Sequence, residues 1–256
     1  KTTETGWAEW STPEMVEGDS LNDPKLWKRF NPSYGSILTE RKIRDELKNG
    51  ELDFNIQRLG HWLRYNQKSA ISQTEWDALE VKELPKLTGP LFAGVKFGHD
   101  TSNVTLSIAV KMADGNVFVE AIDCKQSREE VAWLLKYLRN PAVKQAAIDG
   151  DSGKGILEEA MRQIHAKKPI TVKTPDFIMA NALFEQAIEA GTVRHMEQPS
   201  LTQVISNCEK RGIGSNGGFG YNSQLKGADI ALLDSVILAH WLCVEYKGEK
   251  KQSVRY

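Results

Sequence analysis

The sequence predicts a mixed α/β fold, a β-sheet flanked by helices, preceded by a small, mainly helical segment. Three observations predict it. Five of the seven tryptophans fall before residue 80, and the stretch 80–90, EVKELPKLTGP, has two prolines and no apolar periodicity, as a linker would. Three extended segments then follow one another directly. Beyond them, short apolar runs alternate with amphipathic stretches, the pattern of strands interleaved with helices.

Each element has its own signal. In PKLWKRFNPSYGSILTERKIRDELKNG, Asn31-Pro32 and Gly35 make a turn between a first helix and a second that starts around Thr39 and runs over 42–47. Residues 54–65 read as a third short helix. Residues 91–97 form a strand, GHDTSN a turn, and 104–111 a second, alternating strand. Asp114-Gly115-Asn116 is a hairpin turn leading to a third strand at 117–122. Val131, Leu134, Leu135 and Leu138 share one stripe of a helix over 127–139. A buried strand at 146–149, a helix at 155–166, a strand at 170–173 and a helix at 176–190 follow. Gly191 caps that last helix. A strand at 193–195, a helix at 200–208 and a long apolar helix at 229–244 complete the chain. Three antiparallel strands followed by alternating β and α is the order of an RNase H-like mixed sheet. The chain therefore divides into residues 1–87 and 88–256.

Composition narrows the function classes. The 256 residues include 33 Lys+Arg and 34 Asp+Glu, a net charge of −1, so no overall basic footprint announces nucleic acid. No run approaches the roughly 18 apolar residues a membrane span needs, and the polar, acidic first twenty residues are not a secretory signal. Cys124, Cys208 and Cys243 lie too far apart for a disulfide framework or a CxxC zinc site. A cytoplasmic protein, not secreted and not in a membrane, is expected. The chain opens on Lys1 rather than Met, which leads us to expect a piece of something longer.

The chemistry this fold class supports uses acids at strand ends and on one helix to hold two Mg²⁺ or Mn²⁺ ions about 3.5–4 Å apart for phosphodiester hydrolysis. Hard divalent ions take oxygen ligands, so Asp and Glu are the right residue types. Asp149 ends the apolar run Ala146-Ala147-Ile148, which puts a carboxylate at the carboxyl edge of a sheet, where α/β sites form. An ordinary strand-to-helix turn would also use Asp here. Asp234 has Ile230, Ala231, Ile237 and Leu238 as its helical neighbours. An acid on that face is buried, at a cost that a cation or a local hydrogen bond would remove. Asp229 starts the same helix, where a capping role competes with metal binding. It projects about 140° from Asp234 on an ideal helix. Asp100 sits in the turn after the first strand, again a usual place for Asp. Glu120, Asp123 and Asp151 are reserves.

Among the basic residues, Lys210 and Arg211 lead a segment with five glycines in nine residues, 212–220. It reads either as a mobile loop whose amides and cations meet phosphates or as a glycine-rich hairpin with no partner. Lys154 follows Gly150-Asp151-Ser152-Gly153. That spacing does not match GxxxxGK[ST], so a phosphate contact is a better reading than an NTP site. The five histidines show no zinc-ligand spacing, and no GxSxG is present.

Taken together, GVKFGHDTSNVTLSIAV, AAIDGDSGKGILEEAM, TPDFIMANALFEQAIEAGTVRH and RGIGSNGGFGYNS followed by ADIALLDSVILAHW resemble the nuclease domain of tailed-bacteriophage terminase large subunits. WKRFNPSYGSILTERKIRDEL and FNIQRLGHWL resemble the closing segment of that family's ATPase domain. The resemblance implies an RNase H-like fold and a Mg²⁺/Mn²⁺-dependent endonuclease that cuts concatemeric DNA by two-metal hydrolysis. It also implies that Asp100, Asp149 and Asp234 are catalytic and metal-binding, with Asp229 a further ligand. Lys210, Arg211, Lys154 and Lys96 would meet DNA. Implied partners are double-stranded DNA, the portal protein, the small terminase subunit and the procapsid, in the host cytoplasm. Lys96 departs from the family's first-strand Asp. The Walker motifs are absent, so no ATP hydrolysis is expected of this chain alone. Two alternatives are a non-catalytic DNA-clamping or assembly module of the motor, and an RNase H-like resolvase or transposase.

Overall fold

Leu91–Phe97 (β1), Asn103–Lys111 (β2) and Val117–Gln126 (β3) form an antiparallel meander. Asp114 shapes its second turn by accepting the Asn116 backbone N–H at 3.0 Å, and Gly115 takes φ +92° there. Val143–Asp149 (β4) then adds to β1 in parallel, Ile170–Thr171 (β5) to β4, and Val193–Arg194 (β6) to β3. The resulting six-stranded sheet has the order β5-β4-β1-β2-β3-β6, the predicted RNase H-like arrangement. The computed structural model describes residues 10–12, 16, 18–47, 51–61, 69–98, 103–126, 131–150, 153–225 and 230–246.

Both faces of the sheet are covered, which is why its strands read as near-continuous apolar runs. Ala93, Val95, Phe97, Ala146 and Ile148 face Val131–Leu138 (α5) and Lys154–Gln163 (α6) through Leu134, Leu138, Leu157 and Met161. On the opposite face, Phe92, Ala109 and Ala147 meet Thr174–Glu189 (α7), Pro199–Ile205 (α8) and Ala231–Glu245 (α9). Helix α9 is mostly apolar on every side because it is buried on every side, with Asp234, Ser235 and His240 as its buried polar residues.

Upstream, Pro24–Phe30 (α1), Glu40–Leu47 (α2) and Glu51–Arg58 (α3) build a separate small core around Trp27, Ile43, Phe54 and Leu59. Gln73–Asp77 (α4) carries a complete capping box from Ser72 and Glu75. This helix was not read from the sequence. Its Trp76, with Ile71 and Leu79, packs into the core on the α9 face of the sheet.

The element order needs one correction. The glycine-rich segment is a β-hairpin, Cys208–Ile213 (β7) and Gly218–Ser223 (β8), lying outside the main sheet. Gly214 and Gly217 take φ +71° and +75° at its turn, so the glycines serve chain reversal. The helix expected over 200–208 accordingly stops at Ile205, and Cys208 belongs to the first strand of the hairpin.

Candidate active site

Side chains alternate across a strand. Phe92, Gly94 and Lys96 of β1 therefore point to the α9 face, as do Ala147 and Asp149 of β4. Parallel pairing sets Lys96 beside Asp149 at the carboxyl ends of both strands. The chain leaves β4 through Gly150 at φ +102°, where an added Cβ would lie 2.7 Å from the Phe97 carbonyl oxygen. Only glycine turns there so close to β1.

The third group arrives on α9. Gly94 has no side chain, so the helix backbone settles directly on β1: a Cβ at residue 94 would lie 2.1 Å from the Ser235 carbonyl oxygen and 2.6 Å from the Ala239 nitrogen. Buried hydroxyls fix the helix lengthwise. Thr105 Oγ1 donates to the Ala231 carbonyl at 2.8 Å. Ser235 Oγ donates to the Leu232 carbonyl at 2.9 Å and receives the Ser107 hydroxyl at 2.7 Å. This places Asp234, which is 1% exposed, over the ends of β1 and β4.

Asp149 and Asp234 thus share one ammonium. Lys96 Nζ lies 2.5 Å from Asp149 Oδ2 and 3.5 Å from Asp234 Oδ2, and 4.9 Å from the centre of the Phe177 ring. Burial pushes the Asp234 carboxyl up to about 6. Lys96 opposes that rise, Asp149 adds to it, and Arg211 on the hairpin opposes it. Burial pulls Lys96 down, but the charges of Asp234 and Asp149 outweigh it and leave the ammonium above its ordinary range. Asp234 Oδ1 is buried with no hydrogen-bond partner among the described residues.

Of the sequence-derived site residues, Asp149, Asp234 and Lys96 come together. Asp100 and Asp229 lie outside the described residues, as does Asp151. Lys96 is committed to the two acids. Lys154 opens α6. Lys210 pairs with Glu185 and stacks 4.6 Å over Phe219. Arg211 donates through Nε to the Tyr221 carbonyl at 3.3 Å. Of the reserves, Asp123 pairs with Lys125 at 3.3 Å, and burial raises the Glu120 carboxyl. The Ser107–Ser235 bond and the Lys96 ion pairs were not read from the sequence. The register of β1 against β4 is the signal that would have found the latter.

Two carboxylates converging on one point suit a single hard cation, and Asp234 Oδ1, which has no partner among the described residues, could serve as one of its oxygen ligands. Among the described residues, no three His, Cys, Asp or Glu side chains gather as a metal-binding group.

No protein-family model matches the sequence, and no curated protein matches it. The fold does have solved counterparts. The crystal structure of the HK97 bacteriophage large terminase superposes with a TM-score of 0.50 over 90% of this chain, at 15% identity. The chain shares its fold with a phage large terminase. It spans 56% of the length of that HK97 protein. The terminase nuclease of thermophilic phage G20c, crystallised with bound magnesium, matches at TM-score 0.47 and 13% identity, over 67% of this chain and 97% of its own. A mutant nuclease domain of the large terminase subunit of bacterial virus Sf6, with manganese and beta-thujaplicinol, matches at 0.49 and 12%, over 67% of this chain and 97% of its own. All three are phage large terminases or their nuclease domains.

Proposed function

We propose that this chain is the nuclease part of a phage terminase large subunit, a divalent-metal-dependent DNA endonuclease that cuts concatemeric DNA during genome packaging. The observation that carries this reading is the convergence of Asp149 and buried Asp234 at the carboxyl edge of the sheet. In the same reading, residues 1–87 are the closing part of the ATPase domain with its linker, and residues 88–256 are the nuclease. Portal, small terminase subunit and procapsid are its partners in the host cytoplasm.

Asp149 and Asp234 would hold a Mg²⁺ or Mn²⁺ ion; Asp100 and Asp229 complete the proposed ligand set for two. The chemistry such ions supply when bound is Lewis-acid stabilisation of the charge that builds on a phosphodiester under attack. The chain's own residues do the rest. Gly94, Thr105, Ser107 and Ser235 hold Asp234 rigidly against the sheet, so no reorganisation is needed when charge develops. Arg211, close enough to influence Asp234, and Lys210 beside it lie on an exposed hairpin, where they meet backbone phosphates and position the duplex without reading its sequence. Lys154, at the start of α6, is a further phosphate contact.

Plasmid cleavage in Mn²⁺ tests the reading. Asp149→Asn and Asp234→Asn should each lower the rate at least about 100-fold, the scale lost when a charge-stabilising group leaves a site. Cleavage at the parent rate by either variant would place the site elsewhere. One observation favours a second reading, a DNA-clamping module of the motor: Lys96 already cancels one of the two charges of the acid pair. That reading requires salt-sensitive DNA binding with no metal-dependent cutting.

A further inference from the structure

The ammonium of Lys96 sits where the two acids converge. It is in direct contact with Asp149, within ion-pair distance of Asp234, and faces the Phe177 ring on a third side. Carboxylates and an aromatic face are what a cation site is made of. The lysine stem is held by β1, and its residue is the direct register partner of Asp149, the acid it contacts. Its position is therefore set by the sheet itself.

We infer that Lys96 is a built-in competitor for the metal: a divalent ion binds the Asp149–Asp234 pair only by displacing the Lys96 ammonium. The inference rests on reading those two acids as metal ligands. Two carboxylates carry two negative charges, and Lys96 cancels one of them. A divalent ion arriving with the ammonium still in place meets a like charge at contact distance, beside a buried Asp234 where solvent screens it less than at the open surface. The lysine must swing out, breaking both ion pairs. Such a site binds metal weakly at rest and leaves the acids paired when no metal is bound, so Asp234 need not be buried as an uncompensated charge. A DNA phosphate brought in by the hairpin would offer the displaced ammonium a new partner, so metal and DNA should load together.

Calorimetric titration of the full 256-residue chain with Mn²⁺ tests this. Lys96→Met keeps most of the length of the side chain and removes its charge; Lys96→Gln keeps a polar head should Met fail to fold. Either should bind Mn²⁺ at least about tenfold more tightly than the parent, because a like charge has been removed. Lys96→Arg should keep the parent's weak binding. The gain should vanish in Lys96→Met combined with Asp149→Asn. Mn²⁺ should also raise the melting temperature of the Met variant more than that of the parent. If the Met and Gln variants bind Mn²⁺ no more tightly than the parent, the inference is overturned. If Asp149→Asn alone weakens metal binding in that same experiment, the nuclease reading survives that failure. If metal binding tightens as expected but no variant cuts DNA, the competitor stands and the nuclease reading falls.

Discussion

His240 shows how a single residue inside this core responds to acid. It is 2% exposed and lies edge-on to Phe184 at 5.4 Å, and its Nδ1 has no hydrogen-bond partner among the described residues. Burial pulls its imidazole down to about 4. Unfolding returns it to an ordinary value near 6.5. Between those values the unfolded chain binds the extra proton, so folding stability rises with pH. The contribution is fully present above about pH 6.5 and is lost as pH falls towards 4. It is on the order of 3 kcal/mol. Urea unfolding from pH 7 to pH 4.5 should show the parent losing stability in that window and His240→Leu losing clearly less. Equal loss in both would place the acid sensitivity elsewhere. Asp234 titrates the opposite way. Its raised value means the charged form is disfavoured in the fold, so its contribution weakens as pH rises from about 4 to about 6. Removing His240 therefore isolates one of two opposed slopes.

At the scale of elements, the contact between β1 and α9 sets the site. Gly94 is its closest point, and there the neighbouring atoms are backbone, which cannot move aside as a side chain would. Gly94→Ala should cost about 3 kcal/mol or more, the upper range for overpacking a filled core, read as a fall in melting temperature. Cleavage should fall with it, because the helix that yields carries Asp234. A variant as stable as the parent would mean the helix and strand separate freely. The sequence made much of this level legible. The Asp114-Gly115-Asn116 turn, the apolar run ending at Asp149 and the all-apolar face around Asp234 each announced themselves locally. What it hid depended on pairing between distant strands. Nothing near Lys96 signals that residue 149 will lie beside it 53 positions later. Ser107 and Ser235 read as ordinary polar residues until the helix crosses the sheet. The glycines of 212–220 fitted a loop or a hairpin equally well, and β-pairing decided in favour of the hairpin.

On the scale of the whole chain, packing groups residues 70–81 with the sheet, although the prolines that mark a change in the sequence come later. Trp76 is fully buried beside Phe184 and stacks on His195 at 3.8 Å, nearly parallel. Ser69 and Ala70 hydrogen-bond to Cys208 at the base of the hairpin. A chain beginning at residue 69 should therefore unfold cooperatively and close to the parent's transition. One beginning at residue 88 should be largely unfolded or melt far lower, since losing a buried Trp alone costs about 3–5 kcal/mol of a total near 5–15. Circular-dichroism melts of the two truncations check this. A well-folded chain from residue 88 would show the upstream helix to be dispensable. The balanced net charge of −1 described the whole molecule poorly for a related reason. It averages an exposed Lys210-Arg211 strand with Asp234 buried on α9 and a partly buried Asp149 beside it.

The stack of Trp76 on His195, with the Val81 N–H bonded to the His195 carbonyl at 2.8 Å, has a mechanical consequence. Tension that passes the attachments at Ser69, Ala70 and Trp76 would enter the sheet at the end of β6, its outer edge. In the order β5-β4-β1-β2-β3-β6, three strands separate that edge from β4 and its Asp149. A pulling force would strain the far margin of the sheet first, leaving the spacing of the acids unchanged until the meander itself gave way.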